Sequence, residues 1–340
     1  MASRFGIALF GLGNMGLVHA KNAILSPRAS VKWIIRNRLE DAEKFVKDLN
    51  LSARCTTPDR VDEVYADPEV HATFICSPST THDKIIQDSL YADKAVFCEK
   101  PVTVAIDTTR KCYDLAEARN LPLFCAFHRQ FDPSFKKLYD RIHSGELGRV
   151  RLIKVTSRDL CLPPLSYLKT SGGIIADSTI HDLNFALWLA GSKPQTVYVQ
   201  GMNFKPELAS IPDLDQVLVT IKHENGTLTL IDNGRLAPYG YDQRLEVLCE
   251  EGLLSVGNRE CDHVTEAGHH VTSEPRIYDQ FTNRYNEAYS NELEHFLDVL
   301  QGKSDLRITK NDTVETMRLI QACKLSIARG LPVDYNEELE

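Results

Sequence analysis

Three short segments of the sequence carry polar side chains that could transfer a proton or stabilise negative charge. The first is Glu99-Lys100-Pro101, where a charge pair stands between an apolar run and a proline. A lysine at the carboxyl end of a strand can hold a substrate hydroxyl and stabilise negative charge that develops on its oxygen. A surface salt bridge would explain the same pair, and we favour the catalytic interpretation.

The second segment pairs a carboxylate with an imidazole. Asp177 and His181 are four residues apart, so a helix over residues 176–191 places them on one face, with Asn184 next along it. Such a carboxylate fixes the imidazole tautomer and can raise its basicity, and histidine titrates in the range suited to removing a hydroxyl proton. An ordinary contact on the helix surface is the alternative. The buried stripe of this helix is predicted to consist of Ile180, Leu183, Leu187 and Ala190.

The third segment, residues 76–82, follows an apolar run that is typical of a strand. Ser77 and Pro78 could cradle the ribose of a nicotinamide nucleotide, and His82 lies close to them in sequence. A plain helix N-cap would explain the serines and threonines of this segment but not the histidine. Both interpretations stay open at this point.

A glycine-rich turn near the start of the chain indicates the cofactor with which these segments would act. Gly11-Leu12-Gly13-Asn14-Met15-Gly16 has the spacing G-x-G-x-x-G and stands between an apolar strand and a predicted helix. The glycines allow a tight turn, close approach of the backbone to a pyrophosphate, and close packing of helix on strand. The amide groups at the helix N-terminus then point at the phosphates. Glycines cluster in turns for other reasons too, but the order strand, glycines, helix, strand predicts a dinucleotide site.

The end of the second strand bears on which dinucleotide is bound. There the sequence has Arg36-Asn37-Arg38 instead of the acidic residue that would hold a ribose 2′-hydroxyl. Two guanidiniums suit a 2′-phosphate, so we expect NADP to be preferred, with NAD possible. Ordinary solvated surface charges are the alternative. We also expect His82, Glu99, Lys100 and Arg129 to contact the cofactor.

The secondary-structure elements that position these residues are arranged differently in the two parts of the chain. Residues 1–127 alternate strands and helices, which predicts an α/β Rossmann domain with a doubly wound parallel sheet. Ligands of such sheets lie beyond the carboxyl ends of the strands, where the candidate residues stand. Residues 128–340 are predicted to form an α+β substrate-binding and oligomerisation domain.

In this second region the pattern predicts a large, mainly antiparallel open sheet. Its strands are expected near residues 150–157, 196–201, 216–223, 228–232, 244–249 and 253–256, with hairpin turns at Asn225-Gly226 and Glu251-Gly252. Two helices over residues 284–300 and 313–328 close the chain. Asp312 and Glu315 are predicted to form the capping box of the second.

The composition limits the partners. The formal net charge of −8, without a basic run, makes nucleic acid and anionic membrane surfaces unlikely partners, and no apolar stretch reaches the length of a membrane span. Nine scattered cysteines without a C-x-x-C favour a reducing cytoplasm and argue against disulfides or a structural zinc. His269-His270 has no further ligand at suitable spacing, so we expect no metal site.

In combination these features resemble the glucose–fructose oxidoreductase / inositol dehydrogenase / rhizopine catabolism family (Gfo/Idh/MocA), over essentially the whole chain. The resemblance rests on the glycine turn, on Glu99-Lys100-Pro101, on residues 127–133 and on residues 172–182. Residues 169–173 and 284–289 are most similar to the inositol dehydrogenase branch.

The resemblance implies hydride transfer between NAD(P) and a sugar, cyclitol or related alcohol. It maps the family's catalytic lysine, aspartate and histidine onto Lys100, Asp177 and His181. It also implies a homodimer or homotetramer formed through the C-terminal sheet. The chain departs from many relatives in having Arg36 for an acid, His128 for an asparagine, and Asn184 for an aspartate that could carry charge. We include Asp159, His128 and Asn184 among the residues expected to contact the substrate.

We therefore expect an NADP-preferring dehydrogenase of a small polyol or sugar such as myo- or scyllo-inositol. Dehydrogenation of dihydrodiols, of other sugars or of sugar nucleotides is the alternative among enzymes. A catalytically silent NADPH-binding sensor or scaffold is the alternative outside them.

Overall fold

A computed structural model of the chain describes residues 4–270 and 272–336. Its internal contacts divide the chain into two compact units. Of the described residues, the first unit contains those up to 131 and those of 287–314, and the second contains those of 132–286 and those from 315 to 336. In the described part of the chain, no helix combines the length and the apolar character that a membrane span requires.

The first unit contains a six-stranded parallel sheet. Its strands are β1 (Phe5–Phe10), β2 (Ala29–Ile35), β3 (Arg54–Thr56), β4 (Ala72–Ile75), β5 (Ala95–Glu99) and β6 (Leu123–Ala126). They lie in the order β3-β2-β1-β4-β5-β6, so the direction of winding reverses beside β1. The predicted doubly wound Rossmann sheet is confirmed, and β1 and β4 border the point where such sheets bind ligands.

Helices follow the strands of this unit in alternation. They are α1 (Asn14–Leu25), α2 (Leu39–Asp48), α3 (Asp62–Ala66), α4 (His82–Tyr91) and α5 (Ile106–Ala118). The short β3 and α3 were not predicted, because three and five residues are too few to show a hydrophobic period.

The sheet of the first unit is buried, as expected for parallel strands covered on both faces. A stack of aromatic rings lies against it: the Phe74 and Phe97 centroids are 4.5 Å apart, and Phe296 is 5.5 Å from Phe97. Phe296 comes from the late segment 287–314, which therefore joins this core. Contacts within the chain thus assign residues 287–314 to the first unit, because the apolar face of that late helix packs on the first sheet.

The second unit contains a seven-stranded sheet. The strands of this sheet are β7 (Val150–Arg158), β8 (Pro194–Met202), β9 (Gln216–His223), β10 (Leu228–Gly234), β11 (Asp242–Cys249), β12 (Leu253–Val256) and β15 (Val333–Asp334). Two short strands, β13 (Glu266–Ala267) and β14 (Thr272–Ser273), form a separate pair. The order is β12-β11-β7-β10-β9-β8-β15, with β13 pairing β14. All neighbours in the large sheet are antiparallel except β7 and β10, which confirms a mainly antiparallel sheet.

The remaining helices complete the chain. They are α6 (Pro133–His143), α7 (Leu165–Leu168), α8 (Ile180–Ala190), α9 (Phe281–Arg284), α10 (Asn286–Leu300) and α11 (Lys310–Arg329). The predicted capping box of α11 was wrong by one turn. Thr309 Oγ1 accepts from the Asp312 N–H at 3.2 Å, while Asp312 Oδ2 accepts from the Thr309 N–H at 2.8 Å. The reciprocal bonds of a capping box therefore start at Thr309.

Candidate active site

The turn after β1 has the backbone geometry of a phosphate cradle. Gly11 has a φ of 93°, and a Cβ there would lie 2.7 Å from the carbonyl oxygen of Cys76. A Cβ on Gly16 would lie 2.2 Å from the carbonyl oxygen of Gly11. Both positions therefore require glycine, because neighbouring backbone fills the space of a side chain.

The surroundings of Gly13 differ from those of Gly11 and Gly16, and they bear on whether a dinucleotide fits at this turn. Apart from its neighbours in the chain, no atom of the described residues lies within 4 Å of an ideal Cβ on Gly13, so packing does not demand glycine there. α1 begins at the next residue, Asn14, with no acidic side chain in its first turn. The first N–H groups of a helix, here those of Asn14, Met15 and Gly16, have no intrahelical acceptor. Open space above these donors fits a pyrophosphate.

The arginines after β2 lie beside this turn and share one carboxylate. Arg36 Nη1 donates to the carbonyl oxygen of Leu12, and its Nη2 lies 2.8 Å from Asp41 Oδ2. Arg38 Nη2 is 3.2 Å from Asp41 Oδ1. Asn37 lies exposed between them. Arg36 thus reaches the glycine turn, while Asp41 offsets part of the positive charge.

His82 links two loops of the first unit. Its Nδ1 is 2.9 Å from the carbonyl oxygen of Pro101, and its Nε2 is 2.9 Å from that of Ser77. His82 is buried, whereas Pro78 beside it is exposed. A capping role alone does not explain two bonds to carbonyl oxygens of different loops. His82 therefore sets the position of the Ser77 segment relative to the Lys100-Pro101 turn.

Glu99 faces inward from the end of β5. Its Oε1 is 2.7 Å from Nε2 of the buried His19 on α1, and its Oε2 accepts from the Lys100 N–H at 3.3 Å. The Lys100-Pro101 peptide bond is cis. The surface salt bridge considered for Glu99 and Lys100 does not describe Glu99, because its carboxylate is buried against α1 and holds the Lys100 backbone.

A second buried carboxyl group lies near Glu99, and the sequence patterns did not reveal it. Glu292 on α10 is fully buried, and among the described residues neither of its carboxyl oxygens has a hydrogen-bond partner. Burial and then the charge of Glu99 raise the pKa of Glu292 well above its usual range. Burial likewise raises the pKa of Cys76, Cys98 and Cys125. The three thiols are therefore protonated at neutral pH, and Glu292 holds its proton to a higher pH than an ordinary carboxyl group.

Two further candidates of the first unit lie in the helical turn after β6. His128 and Arg129 are both buried. The ring of His128 faces that of Tyr289, with centroids 4.6 Å apart. Tyr289 on α10 lies in the segment 284–289 that resembles the inositol dehydrogenase branch, but the sequence did not indicate that it would contact His128.

In the second unit, Asp177 lies on a π-helical turn, Ile175–Thr179, that leads into α8. Thr179 Oγ1 donates to the carbonyl oxygen of Ile174 at 3.2 Å, five residues back. π-turns inside helices occur often at functional sites, and their extra residue cannot be read from a 3.6-residue period. His181 follows within the first turn of α8, so both side chains stay on one helix, as predicted.

Both carboxylate oxygens of Asp177 accept hydrogen bonds. Tyr167 Oη donates to Oδ1 at 2.7 Å, and Arg235 Nη1 donates to Oδ2 at 3.2 Å. Burial, and then the negative charge of Asp177, raise the pKa of Tyr167, so the phenol is protonated and donates. The sequence offered a weak signal for Arg235, an arginine just beyond an apolar strand, and none for Tyr167.

Asp159 and Asn184 have different surroundings. Asp159 directly follows β7, its N–H donates to the carbonyl oxygen of Gly234 at 2.8 Å, and its charge also raises the pKa of Tyr167. Asp159 therefore lies at the carboxyl end of β7, close to Tyr167 and to the residue before Arg235. Asn184 is buried and donates from Nδ2 to Thr316 Oγ1 at 3.1 Å.

The buried face of α8 is wider than the predicted stripe. Ile180, Leu183 and Ala190 are buried as predicted, and Phe185, Ala186 and Leu189 are buried with them.

In the ranges 4–270 and 272–336, no group of three or more His, Cys, Asp or Glu side chains is placed to hold a metal ion. The rings of His269 and His270 are 6.4 Å apart.

Comparisons with known proteins agree with both halves of this description. Residues 5–127 match the oxidoreductase family with the NAD-binding Rossmann fold, and residues 135–255 match the GFO/IDH/MocA C-terminal domain. The inositol 2-dehydrogenase of Rhizobium meliloti (strain 1021) is 32% identical over 96% of this chain and 98% of that protein. The scyllo-inositol 2-dehydrogenase (NAD(+)) of Bacillus subtilis (strain 168) is 30% identical over 97% of this chain and 96% of that protein.

Among solved structures, a myo-inositol dehydrogenase from Corynebacterium glutamicum ATCC 13032 superposes with a TM-score of 0.92 at 32% sequence identity. The match covers 98% of this chain and 99% of that one. The overall fold is thus shared along nearly the full length of both chains. The chain belongs to the GFO/IDH/MocA family and is a dinucleotide-dependent dehydrogenase that acts on CH–OH groups.

Proposed function

We propose that this protein is a cyclitol dehydrogenase, which moves hydride between a nicotinamide dinucleotide and a secondary alcohol of an inositol-like ring. The observation that carries the proposal is the cluster around Asp177, where Tyr167 and Arg235 donate to one carboxylate and Asp159 lies close by. Such a concentration of donors and acceptors suits a substrate that bears a hydroxyl on every carbon. Relatives named as inositol dehydrogenases support the same substrate class.

Three residues carry the proposed chemistry. In the oxidative direction His181 accepts the proton of the reacting hydroxyl. The negative charge of Asp177, one turn before it on the helix, orients the imidazole and stabilises the imidazolium that forms. Lys100 stabilises alkoxide character on the substrate oxygen. The dinucleotide, when bound, supplies the hydride acceptor.

The remaining candidate residues support these three. We propose that Ser77 and Pro78 contact the nicotinamide ribose, that Arg129 and His128 border the cofactor and substrate, and that Asp159 bonds a second substrate hydroxyl. Glu99 and His82 hold the loops that carry Lys100 and Ser77.

For the cofactor we propose a modest preference for NADP over NAD. Arg36 and Arg38 lie beside the glycine turn, where a 2′-phosphate would compete with Asp41 for their guanidiniums. Charge-assisted bonds of arginine to phosphate favour NADP, whereas the neutralising carboxylate reduces the preference. The name of the Bacillus relative specifies NAD(+), so the two cofactors must be measured side by side.

We further propose a homo-oligomer located in the cytoplasm. The outer face of the seven-stranded sheet carries a row of leucines across four neighbouring strands, Leu228, Leu152, Leu248 and Leu253, which lie opposite one another in register. Three of the four are exposed. A second copy of the chain would cover such a row. All nine cysteines are free thiols, as suits a reducing compartment.

The function is tested by a screen of myo-inositol, scyllo-inositol, hexoses and dihydrodiols with NAD and with NADP, following nicotinamide absorbance. We expect turnover of a cyclitol, with Lys100→Ala and His181→Ala each lowering kcat by about 10²-fold to 10⁴-fold while cofactor binding, followed by fluorescence, is kept. Lys84→Ala, which removes an exposed lysine of α4, is the matched control.

Three outcomes would count against the proposal. Efficient turnover of a hexose or dihydrodiol but of no cyclitol would move the substrate class to the alternatives. Tight cofactor binding without turnover of any compound would favour a sensor or scaffold. Near-normal kcat in both variants would reject the assigned roles.

A further inference from the structure

A buried arginine connects the candidate catalytic aspartate to a loop with no assigned role. Arg235 follows β10 and is only 1% exposed. Its Nη1 is 3.2 Å from Asp177 Oδ2, and its Nη2 is 3.3 Å from Asp213 Oδ2. Its own N–H donates to the carbonyl oxygen of Asp215 at 2.7 Å. The two terminal nitrogens of one guanidinium thus join two carboxylates beyond the carboxyl end of β10.

Asp213 has a second task at the start of the helix that carries Asp177. Its Oδ1 accepts from the Ile174 N–H at 2.7 Å and from the Leu214 N–H at 2.8 Å. The Ile174 N–H belongs to the first turn of that helix, so Asp213 caps it from a distant loop. One carboxylate therefore fixes both the helix start and the guanidinium.

The position of Asp177 is then determined from two sides. The π-helical turn places its Cα, and Arg235 holds Oδ2, while Oδ1 accepts from Tyr167 on the half-exposed α7. Tyr167 as a whole residue is 48% exposed, whereas Arg235 is 1% exposed, so Arg235 is the buried donor to this carboxylate.

We propose that Arg235, held by Asp213, is the positioning residue of Asp177, and that the 203–215 loop is thereby part of the catalytic apparatus. This inference rests on the proposed function, in which Asp177 orients His181. Arg235 aligns the carboxylate by its planar fork, which lysine cannot reproduce because it has a single point charge. Displacement of a positioned group by about 1 Å can cost roughly 100-fold in rate.

The test is a double-mutant cycle of Arg235→Met and Asp177→Asn on kcat. If Arg235 acts through Asp177, we expect Arg235→Met to lower kcat about 100-fold in the wild-type background. In the Asp177→Asn background the same change should have little further effect, because residues that act as a unit are non-additive. An equal loss in both backgrounds would overturn the inference.

Further variants separate positioning from folding. Arg235→Lys keeps the buried charge and should recover part of the lost kcat, whereas KM for the cofactor should change little in either variant. Asp213→Asn keeps the shape but weakens the hold on Arg235, and should lower kcat less than Arg235→Met. Arg244→Met, which removes another ion-paired arginine of the same unit, is the matched control and should leave kcat unchanged.

Failure of the proposed function gives a different result. If the wild type turns over no cyclitol or other alcohol, the double-mutant cycle is measured instead on the free energy of unfolding of the same variants in urea. Coupled effects of the two substitutions on unfolding would then support the pairing of Arg235 with Asp177, and additive effects would overturn it.

Discussion

The carboxylate of Glu99 lies 2.7 Å from Nε2 of His19, and both side chains are buried. This contact joins α1, which follows the glycine turn, to the end of β5, which carries Lys100. Because Glu99 also accepts from the Lys100 N–H, the bond fixes the backbone of the proposed catalytic lysine. The helix that follows the glycine turn and the strand that precedes Lys100 therefore share one buried contact.

We expect His19→Ala to lower the free energy of unfolding by about 3 kcal/mol, because it leaves a buried carboxylate without its partner. His19→Gln, which keeps a donor in the same region, should cost less. Urea unfolding followed by circular dichroism measures both. As a control, His263→Ala removes an exposed imidazole and should stay within about 0.5 kcal/mol of wild type. Equal stability of His19→Ala and wild type would show that the buried contact contributes nothing.

Glu292 predicts a pH dependence of stability. Its pKa is raised in the folded protein, so between the usual carboxyl range and the raised value the folded state holds a proton that the unfolded state has lost. The contribution of Glu292 to the free energy of unfolding therefore falls as the pH rises through that window. Glu292→Gln removes the titration but keeps the shape.

We expect the free energy of unfolding of Glu292→Gln, relative to wild type, to increase as the pH rises from about 5 to about 8. Urea titrations at several pH values provide the measurement. Glu294→Gln, which changes a partly exposed carboxylate on the same helix, is the control for a general effect of charge. A constant difference between Glu292→Gln and wild type across the range would mean that the folded and unfolded states bind equal numbers of protons at Glu292, so that its pKa is not raised.

Much of the fold was predictable because it depends on local periodicity. The strands of the parallel sheet other than β3, and the turn at Asn225-Gly226, follow from runs of apolar residues and from turn chemistry, and they were predicted to within about two residues. The π-helical turn at Asp177 was not, because one inserted residue leaves the apolar pattern of a helix almost unchanged. The capping box was placed one turn late, because Asp312 and Thr309 both match the preferences of a cap.

The candidate site was predictable only in part, for a different reason. Lys100, Asp177 and His181 stand in distinctive local segments. Tyr167, Arg235 and Asp213 reach Asp177 from α7, the end of β10 and a long loop, and contacts between such distant segments leave no mark in local spacing. For the same reason, the periodicity of α10 predicted a helix but not the sheet on which Phe296 packs.

The cofactor preference is tested at the two arginines after β2. Arg36→Asp should weaken NADPH binding by about tenfold to 100-fold, the range of one or two charge-assisted bonds, and spare NADH. Arg38→Ala is the cleaner variant, because Arg36 also bonds the carbonyl oxygen of Leu12 whereas Arg38 contacts only Asp41 among the ion pairs of the described residues. Fluorescence titration gives Kd for each cofactor, with Arg60→Ala as an exposed control. Tighter binding of NADH than of NADPH by the wild type would reject the preference.

The leucine row of the second sheet predicts the mode of assembly. Leu228, Leu152 and Leu248 lie opposite one another on three adjacent strands, and Leu253 extends the row to the sheet edge. A carboxylate at the centre of a buried apolar contact costs several kcal/mol, because it is desolvated without a partner. We therefore expect Leu248→Glu to convert the proposed homo-oligomer into a monomer at micromolar concentration.

Size-exclusion chromatography with light scattering measures the mass of wild type and variant. Leu25→Glu, at the exposed end of α1, introduces the same charge away from this sheet and should leave the mass unchanged. Circular dichroism must show that Leu248→Glu stays folded, which its exposed position favours. If that folded variant keeps the wild-type mass, or if the wild type is itself monomeric, the leucine row is not the interface between copies of this chain.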